Sequence, residues 1–346
     1  VTTTIGALSG VPGLLSGEEL ARTAAHLASL QVRDGQIPWF PGGHCDPWNH
    51  VEAAMALTVT GYVDEAGDGS WFNYYVGNVV KDARLDTNVC AYIAAGLYHY
   101  VVATGDVDFA AELWPSVERA IEFVLRWQED DGTVAWSLDA LGRREPYALL
   151  TGSSSIFHSL RCGVALAERL GLSKAQWELS AGRLGHAVAH HPGAFAPKNE
   201  FAMDWYYPIF SGALTGERGV RRINDGWERH VMDGYGVRCV STSDWVTAAE
   251  TAECVLALDA LGLTSQALEL FSCTRRHRRE DGAYWTGIAY PSEVTFPGDE
   301  TTSYTSAAII LAADALTSSS AASGLFRHDS LAMPLDLAEP GCPLAR

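Results

Sequence analysis

An amphipathic helix followed by Asp-Gly and, a few residues on, an aromatic returns five times along this chain. The instances are Gln31–Trp39 (QVRDGQIPW), Asp68–Trp71 (DGSW), Gln128–Trp136 (QEDDGTVAW), Asp233–Tyr235 (DGY) and Asp281–Trp285 (DGAYW). Asp-Gly is a turn signal, because glycine tolerates positive φ and aspartate closes an Asx-turn. The aromatic is expected to stack back on the helix that has just ended. From Gly132 to Gly234 and on to Gly282 the steps are two units and one unit of roughly 50 residues. A unit of that length holds two ordinary helices with their loops, so it is a helical hairpin. The 346 residues have room for six.

Caps and the 3.6-residue period place the helices. Ser16–Gln31 opens with a capping box from Ser16 to Glu19, and Asp46–Thr60 opens with Asp-Pro. Further helices are expected at Asp86–Thr104, Asp108–Gln128, Gly152–Leu170, Ser173–His190, Asp204–Leu214 and Glu217–Val231. Asp244–Leu261, Thr264–Arg278 and Thr301–Leu316 complete the series, with short extended pieces near Val237–Val240. Six hairpins need one more. Its place, residues 61–69, is too short, so that outer helix is expected to be missing or truncated. The second helix of each hairpin is the more apolar, as in Cys90–Ala103, Ala252–Gly262 and Ser306–Leu316. Such helices belong to an inner ring, and charged ones such as Asp108–Gln128 to an outer ring. The expected fold is all-α, an (α/α)6 toroid over residues 1–316, with a loosely ordered tail over 317–346.

The net charge of −18, from 42 acidic against 24 basic residues, argues against a nucleic-acid partner. The basic run Arg275–Arg279 is followed at once by Glu280 and Asp281 and reads as a solvated helix end. Apolar runs such as Ala307–Ala313 fall short of the ~18 residues that a membrane span needs. Val1–Ser16 has no positive charge ahead of its weak apolar segment, so a cytoplasmic location is expected. The seven cysteines are scattered without a CxxC pair, which fits neither a disulfide framework nor a zinc site. No metal or other cofactor is expected.

Chemistry concentrates at the starts of the inner helices, which ring one mouth of a toroid. Five of the six begin with an acid: Asp46-Pro-Trp48, Asp86, Asp204-Trp205-Tyr206-Tyr207, Asp244-Trp245 and Glu300, four residues before Tyr304. The sixth begins Thr151-Gly-Ser-Ser-Ser155. Helix capping, at ~1 kcal/mol each, accounts for any single Asp among them, and best for Asp46 and Asp244. Glu52, Glu250 and Glu253 fit capping poorly. The first two lie well inside their expected helices amid alanines, and Glu250 and Glu253 share a face. A buried carboxylate must meet a cation, a hydroxyl or a ligand, and Arg84, Arg161 and Arg238 are the cations that would make it structural. His50 stands near Glu52, but side chains two apart on a helix diverge, so no metal pair is expected there.

A cavity rimmed by acids and lined by Trp and Tyr suits a neutral, polyhydroxylated ligand. Two carboxyls ~6.5–9.5 Å apart would hydrolyse a glycosidic bond with inversion. The candidate acid–base residues are Asp86, Asp204 and Glu250, with Glu52, Glu300 and His50 in reserve. Trp48, Trp205, Tyr206, Tyr207, Trp245, Glu253, Trp285 and Tyr304 are the candidate substrate-binding residues. The expectation is a carbohydrate-active enzyme, hydrolase or lyase, acting on a glycoside, oligosaccharide or glycolipid. The same aromatic wall would stabilise a carbocation. A terpenoid cyclase or prenyltransferase therefore stays open, with Lys81, Arg84 and Arg238 for a diphosphate, as does an inactive toroid that binds sugar or a protein.

Thr104–Gly132 and Ser155–Gly171 resemble hairpins of the glucoamylase and glucodextranase relatives, six-hairpin glycosidases, and the similarity runs weakly to about Leu316. The resemblance implies the scaffold and an inverting glutamate pair. The chain departs from that pair, with Ser137 after Trp136, Asp139 as the nearest acid, and no glutamate in Tyr284–Ile288. The Gln…Asp-Gly…Trp elements resemble the QW motifs of squalene cyclases and prenyltransferase β subunits. Met203–Pro208, Trp245–Glu253 and Tyr284–Gly287 are most similar to actinobacterial proteins labelled prenyltransferase. The chain has no DxDD or DDxxD, and Asp299-Glu300-Thr301-Thr302 only distantly resembles such a motif.

Overall fold

The computed structural model describes residues 8–67, 75–76, 79–80, 84–139 and 141–335. Within them, twelve α-helices alternate between two rings. The outer ones are α1 (Gly17–Ser29), α3 (Val63–Gly67), α5 (Val107–Leu125), α7 (Ala175–His190), α9 (Gly216–His230) and α11 (Thr264–Cys273). The inner ones are α2 (Pro47–Val59), α4 (Thr87–Thr104), α6 (Leu150–Arg169), α8 (Ala202–Phe210), α10 (Ala248–Ala260) and α12 (Ser303–Thr317). Each inner helix packs on the next, and α12 packs back on α2, closing the toroid. Composition explains the division. Every residue of α10 from Ala248 to Leu258 is buried, whereas α9 buries only Gly219, Ile223, Gly226 and His230. A helix buried all round must sit inside, and one with a single apolar stripe can face water. The truncated outer helix is α3, five residues long. The Asp68–Trp71 repeat lies outside the described residues.

The repeats tie neighbouring outer helices together, through different atoms than expected. Gln31 Nε2 donates to the Gly35 carbonyl at 2.9 Å and to that of Glu65 at 2.8 Å. Gln128 Nε2 does the same to Gly132 and Ser180, both at 3.0 Å. Gly132 has φ 88°, and a Cβ there would lie 2.6 Å from the Arg183 carbonyl oxygen, so only glycine fits between the turn and α7. The aromatics face elsewhere. Trp136 stacks on Tyr147 at 5.6 Å, Trp39 stacks on His44 at 5.5 Å, and Trp285 lies under the Arg279 guanidinium.

The extended pieces exceed the expectation. Val231–Met232, Gly236–Arg238, Trp245–Thr247, Gly287–Ala289 and Val294–Thr295 form a five-stranded antiparallel sheet. Its central strand takes residues expected to begin an inner helix. β-Branched Val246 and Thr247 pair with Ile288 and Gly287, so α10 starts at Ala248 instead of Asp244.

The segment after α12, expected to be a loosely ordered tail, packs across the inner ring through residue 335. Leu325 and Phe326 are buried, and Phe326 stacks between Phe210 and His158 with centroids 4.3 and 5.4 Å away. Arg327 bonds Asp259 and the Ala315 carbonyl, and Tyr98 and Arg161 reach the carbonyls of Ser330 and Ala332. These contacts fall at or beyond the middle of α4, α6, α8, α10 and α12, so the segment closes the end opposite the helix starts. Phe326→Ala should lower the unfolding free energy by about 3–5 kcal/mol, read from urea denaturation. A segment that only brushed the surface would leave the urea midpoint unchanged. No helix of the described residues is long and apolar enough to cross a membrane.

Candidate active site

Parallel inner helices bring their first turns to one opening, and side chains there make two layers. The deeper layer is a buried carboxylate pair held by tyrosines. Tyr92 on α4 donates to Glu52 Oε1 on α2 at 2.8 Å. Tyr206 and Tyr207 on α8 both donate to Glu253 on α10, the latter at 2.8 Å. The expected cation partners are engaged elsewhere: Arg161 with the closing segment, Arg238 with the Val231 carbonyl and Arg84 with Asp86. Burial drives both glutamates above the usual carboxylate range, and for Glu52 the Glu253 charge adds to it. The tyrosine hydroxyls pull in the other direction, and Tyr206 and Tyr207 are themselves pushed up by burial and then by Glu253. Tyrosine donors and two buried carboxyls raised above their usual range make a hydrogen-bonded floor.

The upper layer holds Asp86 and Glu250. Asp86 precedes α4 without capping it, and its Oδ1 lies 2.7 Å from Arg84 Nε. The extended pairing of Asp86 with Ser137 sets this carboxylate beside the stacked Trp136 and Tyr147, with Arg84 over Trp136. Because α10 starts late, Glu250 lies in its first turn instead of about six residues in. Among the described residues no cation pairs with it, and its neighbours are Glu253 and the Cys239 thiol, which burial and then the Glu250 charge push up. In the order α2, α4, α6, α8, α10, α12, helices α4 and α10 stand opposite each other, so Asp86 and Glu250 come from facing sides of the mouth.

Trp48 stacks flat on Tyr92 with centroids 3.7 Å apart and stands 6.4 Å from Tyr207. Tyr304 lies beside Glu253 and 6.4 Å from Trp39, an aromatic of the first repeat that was not among the candidates. Trp245 donates to the Phe296 carbonyl and stays half-buried on the rim, and Glu300 accepts from Thr286. Asp46 caps α2 by accepting from the Asn49 amide at 3.1 Å.

Four candidates do not join the group. Asp204 accepts from the Thr151 amide and hydroxyl, and with Trp205 it lines a groove on the flank of the toroid. His50 accepts from the Ile37 amide through Nδ1, and burial lowers its pKa to about 4, so it supports a loop as a neutral ring. Trp285 has one face covered by Arg279. Of the proposed diphosphate cations, Lys81 lies outside the described residues.

Sequence reasoning passed over Tyr92, Tyr147, Asn88 and Ser155. Asn88 Oδ1, Ser155 Oγ and Ser303 Oγ are buried near the helix starts with no partner of good geometry among the described residues, while the Tyr304 hydroxyl turns to Glu253. Buried polar atoms left unpaired are costly. Several together near one opening suit a ligand bearing many hydroxyls.

No protein-family model matches the chain. It is 46% identical over 344 residues to the MMP endo-(1,4)-3-O-methyl-α-D-mannosidase of Mycolicibacterium hassiacum, covering 96% of this chain and 95% of that protein. Among solved structures it resembles a wild-type glycosidase with TM-score 0.64 at 14% identity, over 87% of this chain and 96% of that one. It also resembles a D-mannose isomerase, with TM-score 0.65 at 10% identity and the same coverages. Those two likenesses establish the six-hairpin fold alone. The resemblance to proteins labelled prenyltransferase finds no support in these relatives, which are sugar enzymes. By its identity to the M. hassiacum enzyme along nearly its whole length, the chain belongs to that mannosidase's family, one of carbohydrate-active glycoside hydrolases.

Proposed function

We propose that this protein is an endo-acting hydrolase of (1→4)-linked 3-O-methyl-α-D-mannose chains, with Asp86 and Glu250 as its acid–base pair. The observation that carries the reading is the 46% identity to an enzyme named for that activity, sustained over 96% of the chain. The site is consistent with it. Trp48, stacked on Tyr92, and the exposed Tyr147, stacked on Trp136, offer ring faces for the CH faces of sugars, and a methyl ether adds apolar surface for the same faces to cover.

In the hydrolysis, one carboxylate takes a proton from water as its oxygen bonds to the anomeric carbon. The other carboxyl gives its proton to the glycosidic oxygen as the carbon–oxygen bond breaks. The Arg84 contact suits Asp86 to the base, and the absence of a paired cation suits Glu250 to the acid. The Glu52–Glu253 floor beneath fixes the walls that carry both.

Incubation with a defined (1→4)-linked 3-O-methyl-α-D-mannose oligosaccharide, followed by mass spectrometry, tests this. Two shorter oligosaccharides are expected from each cut. Stepwise loss of single sugars, or an intact substrate alongside turnover of unmethylated mannan, would remove the proposal.

A further inference from the structure

One cavity lies away from the mouth. It is an open groove of about 780 Å³ on the flank, between α7 and α9, with α8 at its base. One wall is α9, which lines it with Arg218, Arg221, Arg222 and Arg229. Spacings of three, four and seven residues put these on one face of a helix. The floor is apolar, with Trp205, Leu150, Leu214 and Phe195. Trp205 is held rigid by stacking on His230 at 5.1 Å and by donating to the Arg222 carbonyl at 2.9 Å.

The charge of this wall is unusual for the chain. With 42 acids against 24 bases, an arginine here has ample chance of a carboxylate partner. Yet Arg218 donates to the Ala189 carbonyl and His190, and Arg222 to the carbonyls of Asp204 and Trp205. Arg221 touches Glu217 at 3.5 Å, and Arg229 has no ion pair among the described residues. The acids lining the groove are Asp204, already bound by Thr151, and Asp225. Four guanidiniums thus converge on one groove, with Arg222 facing the Asp204 charge, Arg221 beside Glu217, and Arg218 and Arg229 in no ion pair among the described residues. Planar guanidiniums bind oxyanions in forked pairs, and a volume near 800 Å³ is about that of a metabolite site.

We propose that this groove is a second ligand site, for an organic oxyanion whose phosphate or carboxylate meets the α9 arginines while its apolar body lies on the Trp205 floor. Arg218 and Arg222 are fixed by backbone carbonyls and preset the wall, and the exposed Arg221 and Arg229 side chains close on the head group, Arg221 by leaving its surface contact with Glu217. The site is distinct from the mouth and does not depend on which glycoside the enzyme cleaves.

Calorimetric titration of the full chain at low salt tests it, using phenyl phosphate, benzoate, inorganic phosphate and phenol as probes. Phenyl phosphate or benzoate should bind saturably at one site, and whichever is tighter identifies the head group. Phenol should not bind, and inorganic phosphate should bind more weakly for lack of a body on the floor. The double variant Arg221→Gln/Arg229→Gln, which removes no backbone contact, should weaken the organic anion by roughly tenfold or more. Added salt should do likewise. The proposal fails if neither organic anion binds, if the double variant binds equally well, or if inorganic phosphate matches phenyl phosphate.

Discussion

Glu250→Gln should cut hydrolysis of the methylated mannan by about 10²–10⁴-fold, the range that loss of a general acid or base produces. Its melting temperature should stay near that of the parent. The two expectations belong together because of where Glu250 stands. It occupies the first turn of α10, with no ion pair among the described residues and a carboxyl at the edge of the buried region. Glutamine keeps its volume and its hydrogen-bonding oxygen, so the local packing survives while the transferable proton does not. Asp86→Asn should lose turnover similarly, and it also frees Arg84, so a modest stability change will accompany it. The pH–rate profile separates their roles. Removing the acid should erase the alkaline limb, and removing the base the acidic limb. Glu253→Gln is the informative contrast, because that carboxylate accepts from two buried tyrosines and its loss disturbs the floor itself. If Glu250→Gln turns over within threefold of the parent, the acid–base assignment is wrong even though the family stands.

The ring was readable in the sequence because it is written in local patterns. Asp-Gly turns, capping signals and the contrast between all-apolar and striped helices repeat hairpin by hairpin, and each needs only a short window to be seen. The site was readable as a composition, acids and aromatics at helix starts, but not as a geometry. Successive residues on a helix point about 100° apart, so Asp204, Trp205, Tyr206 and Tyr207 could never share one face. The fold gives the tyrosines to Glu253 and leaves Asp204 and Trp205 to the flank. The same limit hid Tyr92, one aromatic among many in Cys90–Ala103, until α2 set Glu52 against it. Glu250 was judged too deep because Trp245–Thr247 read as helix, and only pairing with Gly287–Ala289, some 40 residues on, makes it a strand. The arginine wall of α9 was legible and was missed. Its spacing is helical, whereas in the contiguous and more conspicuous run Arg275–Arg279 three arginines, Arg276, Arg278 and Arg279, are spent on Tyr235, Glu19, Asp281 and Trp285.

Acidification should unfold this protein cooperatively below about pH 5, and the main cause is its buried histidines. His99 and His158 have pKa values lowered to about 3, and His50 and His277 to about 4, in each case chiefly by burial. An unfolded histidine titrates near 6.5. Below that pH the unfolded chain binds these protons and the folded chain does not, so stability falls as pH falls and keeps falling until the folded values are reached. At pH 5 each ring contributes a loss of about 2 kcal/mol, and the four together about 8 kcal/mol, which is comparable to the whole net stability of an ordinary domain. Glu52 and Glu253 oppose this. Their folded pKa values are raised, so between neutrality and the unfolded value near 4.5 they gain protons first in the folded state and add stability as pH falls. Asp204, Asp259 and Asp314, raised by burial, act the same way, while His230, lowered to about 4, and His328 add to the histidine side, so the carboxylates offset only part of the loss. Circular dichroism from pH 8 to pH 4 should show a single steep transition. His99→Leu, which replaces a buried ring whose Nδ1 has no partner, should make it shallower and move it to lower pH. A chain that stays folded at pH 4, or a His99 variant with an unchanged transition, would mean that the buried rings take up protons in place, and the linkage argued here would be lost.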